Sequence, residues 1–338
     1  MINTCSFSSS VFRTHAWVQA WLDMWGKTPG VTFIDLGGRG NVLDYVYTER
    51  RRLKKIIPFT SLHLAGVGGL RISSPRAEYN NLNELISIYG DAKQLARHLK
   101  ILGWHQFKMM DVVSSSVCWG QLQDISEVLA GYLRIEKVEP AYQVSASDFS
   151  SYKESLGSNT RLKYFNRRVR LAEYGSIEFK RYDISHALIF FGLLNDFHVR
   201  RWGQPCYSMQ SQLFMVNFQE RLVQEGGSAI MEAMLVNGEI VSVIYDIVYA
   251  GKRYNFQSGF SENRFEKIAL GSIHLGYAIE EALSTKLIYD FMAGTGKIEN
   301  YKANIANQIT TLGTVSVYRE PLKYLFHGFN FLSKSYRR

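Results

Sequence analysis

The sequence predicts an α+β protein with two domains, and three observations lead to that prediction. The chain has 338 residues, which suits two domains of about 150–170 residues each. Short apolar runs bounded by turn residues alternate with amphipathic segments in both halves. In the second half, three strand patterns precede a helix and a further strand, an order typical of mixed, mostly antiparallel sheets flanked by helices. We therefore expect one domain at residues 1–138 and another at residues 139–338.

Composition excludes several classes of protein. Hydrophobic residues make up 46% of the chain and charged residues only 20%, which argues against a disordered chain. The net charge of +9 favours an anionic partner such as a nucleotide, RNA or an acidic membrane surface. No signal peptide or membrane-spanning run is visible, so we expect no membrane insertion. Cys5, Cys118 and Cys206 lie too far apart for a disulfide framework, which favours a cytoplasmic protein.

In the first half, helical spacing of Trp17, Ala20 and Trp21 predicts an aromatic helix over Val11–Trp25. Leu36–Gly40 is interpreted as a hairpin loop, and Glu49–Arg52 as a charged hairpin end. The half ends near Arg134–Pro140. The other predicted elements are strands over Val31–Leu36, Val42–Tyr47, Ile56–Leu64 and Gln106–Val113, one or two helices over Leu82–Gly103, and a helix over Ile125–Leu133.

The second half opens with a basic helical stretch over Phe149–Tyr174, which Gly175 ends. Two turn signals, Asn237-Gly238 and Ala250-Gly251, separate three antiparallel strands. The predicted elements are strands over Ile177–Arg181, Ser228–Leu235, Glu239–Val248, Lys252–Phe260, Lys286–Phe291 and Thr311–Tyr318, and helices over Leu188–Arg201, Ser208–Gln224, Ile268–Leu283 and near Leu322–Leu332.

The segment Arg264–Leu283 carries the clearest chemical signal. A polar loop leads from a strand into a helix whose first turn contains small residues, and a helix start offers unpaired N–H groups to an anion. Arg264 and Lys267 would add positive charge. The alternative is an ordinary amphipathic helix whose Gly271 permits close packing, and the spacing alone leaves both interpretations open.

The order of strands, loop and helix around this segment resembles the GNAT acyltransferase superfamily. These enzymes hold the pyrophosphate of acetyl-CoA or another acyl-CoA at the loop and helix start that follow the fourth strand. The sequence KIALGS stands where the family has Q/R-x-x-G-x-G/A, with one glycine present and the second missing. The resemblance implies an N-acyltransferase without a metal, whose acyl-CoA would be bound by Lys267, Ile268, Ala269, Leu270, Gly271 and Ser272.

Four segments in order are similar to a narrower, two-domain GNAT group. This group includes the cellulose-biosynthesis-type acetyltransferases and is related to the Fem peptidyltransferases. The resemblance implies two tandem GNAT-like domains, with the active cleft in the second, and an acceptor amine on a small molecule or sugar nucleotide. The four segments are Trp17–Trp25, Asn159–Gly175, Phe197–Gly203 and Tyr289–Lys302.

The Phe197–Gly203 segment supplies three candidate residues at a helix end. His198 could act as a general base, and Arg201 with Trp202 could bind the substrate. The alternative is that the cations only cap the carboxyl end of the helix.

Four further candidates come from the last two strands of this pattern and the segment after them. Tyr301 could protonate a leaving thiolate, and Lys302 could contact the substrate, although a packed tyrosine beside a solvated lysine would look the same. Asp290 could orient the substrate or simply form a hydrogen bond at the strand end. Gln257 would face the cleft if the strand alternates as predicted.

Two other classes of function stay open at this stage. A Fem-like aminoacyltransferase would take its donor from aminoacyl-tRNA, and the basic stretch Arg161–Arg170 could contact that RNA, although its charges form no single stripe. A catalytically silent scaffold would bind no donor. The histidines show no metal-ligand spacing, so we expect no metal site.

Overall fold

The computed structural model describes residues 10–294 and 301–326, which form two compact units. Strands β1 to β11 are Val31–Asp35, Tyr45–Leu53, Ile57–Leu64, Gln106–Val113, Tyr132–Val144, Ile177–Tyr182, Ser228–Val236, Glu239–Tyr249, Lys252–Phe260, Ile288–Ala293 and Gln308–Tyr318. Helices α1 to α11 are His15–Trp25, Asn83–Tyr89, Ala92–Lys100, Val117–Val128, Phe149–Ser155, Ser158–Arg161, Arg167–Ala172, Ala187–Trp202, Met209–Leu222, Leu270–Ser284 and Tyr301–Ile305.

The first unit comprises residues 1–139 and 311–338, and the second comprises residues 140–310. The sequence-based division at 138/139 lies close to the first crossing between the units. It differs at the carboxyl end, because the chain returns to the first unit at Thr311. The division into two domains stays a prediction.

The first unit is a mixed sheet in the order β1, β2, β3, β4, β11, with the first part of β5 beside β11. The β1–β2 and β2–β3 pairs are antiparallel, and β3–β4 is parallel. Helix α1 places Trp17 and Trp21 in the core, where Trp21 packs on the ring of Tyr47 at 5.5 Å. The predicted strand Gln106–Val113 and the hairpin loop after β1 are confirmed.

Of two predictions for the first half, one is confirmed and one is wrong in its bounds. The residues Glu49–Arg52 lie on β2 next to the turn of the β2–β3 hairpin, as predicted for a charged hairpin end, and their side chains alternate between the interior and solvent. The helix assigned to Ile125–Leu133 begins earlier, at Val117, and ends at Val128. Gly131 donates its N–H to the Ser126 carbonyl and thereby ends that helix. The chain then continues as β5, which includes the residues Arg134–Pro140 that were predicted to end the first domain.

The second unit is a mixed sheet in the order β5, β10, β9, β8, β7, β6, where β5 contributes its last residues. The β9–β10 pair is parallel and its neighbours are antiparallel. Ile244 of β8 joins the apolar cluster of α10, whereas Tyr245 packs on Phe191 of α8. Because successive strand residues point to opposite faces, α8 and α10 cover opposite faces of this sheet. The expected α+β class is confirmed.

The basic stretch Phe149–Tyr174 is divided into three short helices joined partly by a π-helical turn, Leu162–Asn166. A Cβ at Gly276 of α10 would collide with the backbone carbonyl of Tyr164 in this turn, so the glycine permits the close approach. Arg168 lies 3.6 Å from the centre of the Tyr277 ring and pairs with Glu280. This arginine therefore fixes α10 through a ring contact and an ion pair.

Strands β9 and β10 separate after three residue pairs. In the described chain their ladder ends at Tyr254 and Asp290, although β9 continues to Phe260 and β10 to Ala293. Both strands bulge just past that point. Phe256 is the extra residue of β9 opposite β8, and β10 shifts register against β5 between Asp290 and Ala293. Bulges bend strands, so the two edges diverge, and no strand within residues 10–294 and 301–326 pairs with the β10-facing edge of β9 past Tyr254.

Asp290 and Lys302 hold the β10 bulge from both sides. The Asp290 carboxylate accepts the Met292 N–H at 2.8 Å and the Gln143 amide at 2.7 Å. The Lys302 ammonium donates to the carbonyls of Phe291, Met292 and Ala293 at 2.8, 3.2 and 3.1 Å. Met292 has a φ of +59°, a strained value for a residue with a side chain. These hydrogen bonds therefore stabilise an unfavourable backbone, and we refer to them as the bulge clamp.

Among the helices that the structure describes, none is both long and apolar enough to cross a bilayer.

We expect Gly276→Ala to destabilise the protein by about 1–3 kcal/mol, because the new methyl group must displace the Tyr164 carbonyl. Gly192→Ala in α8 is the matched control, since a Cβ there meets open space. Alanine is the better helix former, so the control should gain up to about 1 kcal/mol. Urea unfolding measures both variants, and an equal response would contradict the close contact.

We expect Lys302→Met to lower the free energy of unfolding by about 2 kcal/mol or more, because three carbonyls of the buried bulge lose their donor. Lys286→Met is the control. Its exposed ammonium also donates to a carbonyl, that of Ser147 at 2.7 Å, and its loss should change stability by less than about 0.5 kcal/mol. Similar losses in the two variants would show that the clamp is not a stabilising feature.

Candidate functional site

The far end of β9 gathers candidate residues from several elements of the second unit. The last turn of α8 carries His198, Arg201 and Trp202, and the first turn of α10 lies beside Phe260. Tyr301 opens α11 and lies near enough to Arg201 for its pKa to respond to that charge. Several residues that the sequence singled out, among them His198, Arg201 and Tyr301, therefore lie near one another beside the open edge of β9.

Gly259 sets the position of His198 on the sheet. A Cβ at Gly259 would lie 2.7 Å from the Cβ of Phe197, so only glycine lets α8 approach β9 this closely. The next residue of the helix, His198, then reaches the Ser258 carbonyl with its Nε2 at 3.2 Å. A glycine inside a predicted strand indicates that another backbone approaches closely. The sequence-based prediction did not use this signal at Gly259.

His198 is held as a neutral base. A carbonyl oxygen can only accept a hydrogen bond, so Nε2 carries a proton and Nδ1 is the nitrogen that can take up another. Burial lowers the pKa of His198 below 6.5, with the Arg201 charge acting in the same direction and hydrogen bonds to Ser258 and Gln257 opposing it. Gln257 is thus close to His198, as a cleft-facing position requires.

Arg201 is already paired. Its Nε lies 3.0 Å from a carboxylate oxygen of Glu262, and its guanidinium stacks 4.5 Å from the centre of the Phe260 ring. Gly203, with a φ of +78°, ends α8 by donating its N–H to the Val199 carbonyl. Neighbouring Trp202 is 46% exposed and offers a flat apolar surface at the rim of the site.

The first turn of α10 has no side-chain cap. Ala269 occupies the N-cap position, where its methyl side chain cannot accept a hydrogen bond, and its backbone carbonyl accepts the N–H groups of Ser272 and Ile273. The N–H groups of Leu270 and Gly271 precede the first intrahelical bonds, so they point outward along the positive end of the helix dipole. This end of the helix can accept an anionic or carbonyl oxygen.

Gly271 has a packing role that the sequence left as its alternative interpretation. A Cβ at this position would collide with the Phe260 ring, so the glycine allows the helix to close against the end of β9. The cations of the loop are balanced as well. Lys267 lies 3.2 Å from Glu266, and Arg264 pairs with Glu239. The loop therefore offers backbone donors but little uncompensated positive charge.

Tyr301 is kept protonated. Burial raises the pKa of its hydroxyl above 10.0, and the Arg201 charge lowers it only in part. The ring meets Phe291 edge-on, with centres 6.5 Å apart. A protonated phenol at this place can donate a proton, as the sequence analysis proposed.

Asp290 and Lys302 serve the backbone. Asp290 is wholly buried and Lys302 is 8% exposed, and both belong to the bulge clamp. From the sequence we expected both to act on the substrate. The alternative given for Asp290, a hydrogen bond at the strand end, matches the contacts in the structure. Of the segment Tyr289–Lys302, residues 295–300 lie outside the described residues, as does the end of the predicted helix Leu322–Leu332.

A buried polar network, which the sequence did not reveal, joins α10 to the sheet beneath it. His274 contacts Ser242 through Nδ1 at 2.9 Å and Glu232 through Nε2 at 3.3 Å. Burial alone would raise the pKa of Glu232, but hydrogen bonds and charges from His274 and Arg181 lower it to about 2. Charge at Glu232 therefore persists at neutral pH and anchors the first turns of α10.

Among the residues that the structure describes, no group of His, Cys, Asp or Glu could hold a metal ion.

Comparison with known proteins agrees with this geometry. The model of the acetyltransferase (GNAT) domain family matches residues 158–303, which lie within the second unit. No curated protein matches the sequence. The crystal structure of FemX is similar at a TM-score of 0.55 and 14% identity, covering 94% of this chain and 98% of that one. A conserved Bacteroides thetaiotaomicron protein of unknown function gives a TM-score of 0.52 at 11% identity, covering 92% of each chain.

Likenesses at such low identity establish the fold, whereas the family model identifies the kind of domain. The separated strands, the uncapped start of α10 and the matched residues fall in the same part of the chain. The chain therefore carries a GNAT-type acyltransferase domain, which the family model matches at residues 158–303.

Proposed function

We propose that the second unit transfers an acyl group from acyl-CoA, such as acetyl-CoA, to an amine of a small molecule or sugar nucleotide. The observation that carries the proposal is the uncapped start of α10 beside the open edge of β9, within the GNAT match. The donor's pyrophosphate would lie at the segment Ile268–Ser272, against the free backbone N–H groups of Leu270 and Gly271, while its thioester would lie along the open edge.

The transfer would proceed by direct attack. The amine nitrogen forms a bond to the thioester carbon, the carbon–sulfur bond breaks, and the thiolate leaves. Nδ1 of His198 takes the proton of the attacking amine, and the Tyr301 hydroxyl supplies one to the thiolate. Free N–H groups of β9 would polarise the carbonyl, and Trp202 with Gln257 would border the acceptor.

One observation favours a second candidate, an aminoacyltransferase that uses aminoacyl-tRNA. Phe260 fills the space beside Gly271, and acidic partners balance Lys267, Arg264 and Arg201. A donor without a pyrophosphate needs no anion site there. In this reaction the amine attacks the aminoacyl ester and the tRNA hydroxyl leaves. Either donor is found in the cytoplasm, so we propose a cytoplasmic site of action.

An Ala269→Asp variant tests the donor site directly. The new carboxylate can cap the free N–H groups, worth about 1 kcal/mol, and would repel a pyrophosphate. We expect acetyl-CoA and free CoA to raise the melting temperature of the wild type, since a ligand at about 100 times its Kd adds about 2.7 kcal/mol. The variant should fold with equal or higher stability and lose that shift.

Asn263→Asp is the matched control for this experiment, because it adds the same charge to the same loop away from the helix start. It should keep the shift. A shift retained by Ala269→Asp would place the donor elsewhere. No shift of the wild type with any CoA would overturn the acyl-CoA proposal in favour of aminoacyl-tRNA.

The pH dependence of thiol release from acetyl-CoA, measured over a set of amine acceptors, tests His198. Because burial lowers the pKa of His198 below 6.5, the ring is already neutral at pH 7. We expect kcat/KM to fall only when acidification passes that lowered pKa. His198→Gln should lose this acidic limb and about 10²–10⁴-fold in rate. His186→Gln, an exposed histidine paired with Asp183, should change neither, and equal effects would exclude the base role.

A further inference from the structure

The tip of the β2–β3 hairpin in the first unit borders a strongly basic pocket of about 660 Å³. Five of the seven residues that line it are cationic, and none is acidic. Its cationic residues are Arg50, Arg51, Arg52, Lys55 and Arg71.

Most of this charge is uncompensated. Among the described residues only Arg51 of this set forms an ion pair, since its Nε lies 3.8 Å from a carboxylate oxygen of Glu49. In the described chain the cations of the pocket that take part in no ion pair are Arg50, Arg52, Lys55 and Arg71. Four unpaired cations around one cavity create a local field that attracts anions.

The fold holds the cations in place. The buried carboxylate of Glu49 accepts the N–H groups of Leu70 and Arg71 at 2.8 and 2.9 Å, which ties their loop to β2. Burial would raise the pKa of Glu49, but hydrogen bonds from His63 and these two N–H groups lower it to about 2. Glu49 therefore stays charged, and its carboxylate is buried among the N–H groups of Leu70 and Arg71 and the ring of His63. A Cβ at Gly30 would come within 3.1 Å of the Arg71 guanidinium carbon, so Arg71 also rests on this turn.

The hairpin tip projects past its neighbouring strand. The β1–β2 ladder ends at the pair Val31 and Glu49, whereas β2 continues to Leu53. The three arginines therefore lie on a part of β2 that β1 does not cover.

Exposed aliphatic side chains accompany the cations. Ile56 at the tip is 78% exposed, Ile57 is 38% exposed, and Leu70 in the pocket wall is 62% exposed. Leaving such side chains in water is unfavourable, and their combination with cations suits the boundary between lipid headgroups and acyl chains. RNA-binding surfaces instead place aromatic rings beside the cations, and no aromatic residue lines this pocket.

We propose that this hairpin tip docks the protein on a membrane surface rich in anionic phospholipid. Lipid phosphates enter the pocket between the arginines, while Ile56 and Leu70 rest in the interface. The docking is peripheral, and it is independent of which donor the second unit uses.

Vesicle co-sedimentation of the full chain tests the proposal. We expect binding to mixed phosphatidylcholine and phosphatidylglycerol vesicles that weakens as salt rises, and little binding to phosphatidylcholine alone. The double variant Arg50→Glu, Arg52→Glu should bind at least about tenfold more weakly. The control Lys93→Glu, Arg97→Glu makes the same charge change on exposed positions of α3 and should keep binding within about twofold.

Ile56→Ser separates the apolar contact from the charges. It leaves the net charge unchanged and should weaken binding most at high salt, where electrostatic attraction is screened. Melting temperatures and circular dichroism establish that each variant is folded.

Four results would overturn the proposal. Equal binding to neutral vesicles, or equal losses in the α3 control, would show that the pocket is not the contact. Binding of tRNA through Arg50 and Arg52, with no vesicle binding, would make the surface an RNA site. Displacement of the protein from vesicles by millimolar pyrophosphate or glycerol 3-phosphate would identify a site for a soluble anion.

Discussion

The bulge clamp on β10 is the interaction on which the candidate site depends. Two charged side chains, Asp290 and Lys302, are withdrawn from water, which is unfavourable unless each finds several partners. Asp290 has the Met292 N–H and the Gln143 amide, and Lys302 has three carbonyls. The energy of these bonds holds Met292 at a positive φ. Past the bulge β10 still pairs with β5 at Ala293 but no longer with β9, so among the described residues the edge of β9 stays open.

Every other part of the site is arranged around that open edge. Gly259 lets α8 rest on β9 and brings the neutral His198 to Ser258. On the other face, the His274–Glu232 contact fixes α10, so that its uncapped first turn reaches the end of the same strand. Recognition of a donor at this place would rest on backbone N–H groups, since nearby carboxylates balance the side-chain cations.

Features of the fold that depend on neighbouring residues, such as turns and strand bounds, could be predicted from the sequence. The turns Asn237-Gly238 and Ala250-Gly251 placed β7 to β9, and the third strand, Lys252–Phe260, has the predicted bounds. The order of strands, loop and helix was enough to indicate the GNAT type and the neighbourhood of the site.

Contacts between residues distant in sequence could not be predicted. Lys302 meets the carbonyls of β10 only because α11 folds back on the strand, so sequence gave it a substrate role. Gly271 looked like a phosphate-binding glycine because Phe260, eleven positions earlier, gives no sign that its ring fills the same space. In the first half, the charged run Glu49–Arg52 indicated a hairpin end, but the burial of Glu49 could not be predicted, since its partners Leu70 and Arg71 lie 21 and 22 positions away.

The cations of the two units differ in their acidic partners. In the second unit, Arg168, Arg201 and Arg264 each pair with a glutamate, so these three arginines attract anions only weakly. In the first unit, by contrast, the arginines of β2 beyond Glu49 face a cavity without an acidic residue. Part of the excess positive charge of the chain therefore lies on the β2–β3 hairpin. An anionic partner inferred from net charge alone should be sought there, and the acyl donor should be inferred from backbone geometry.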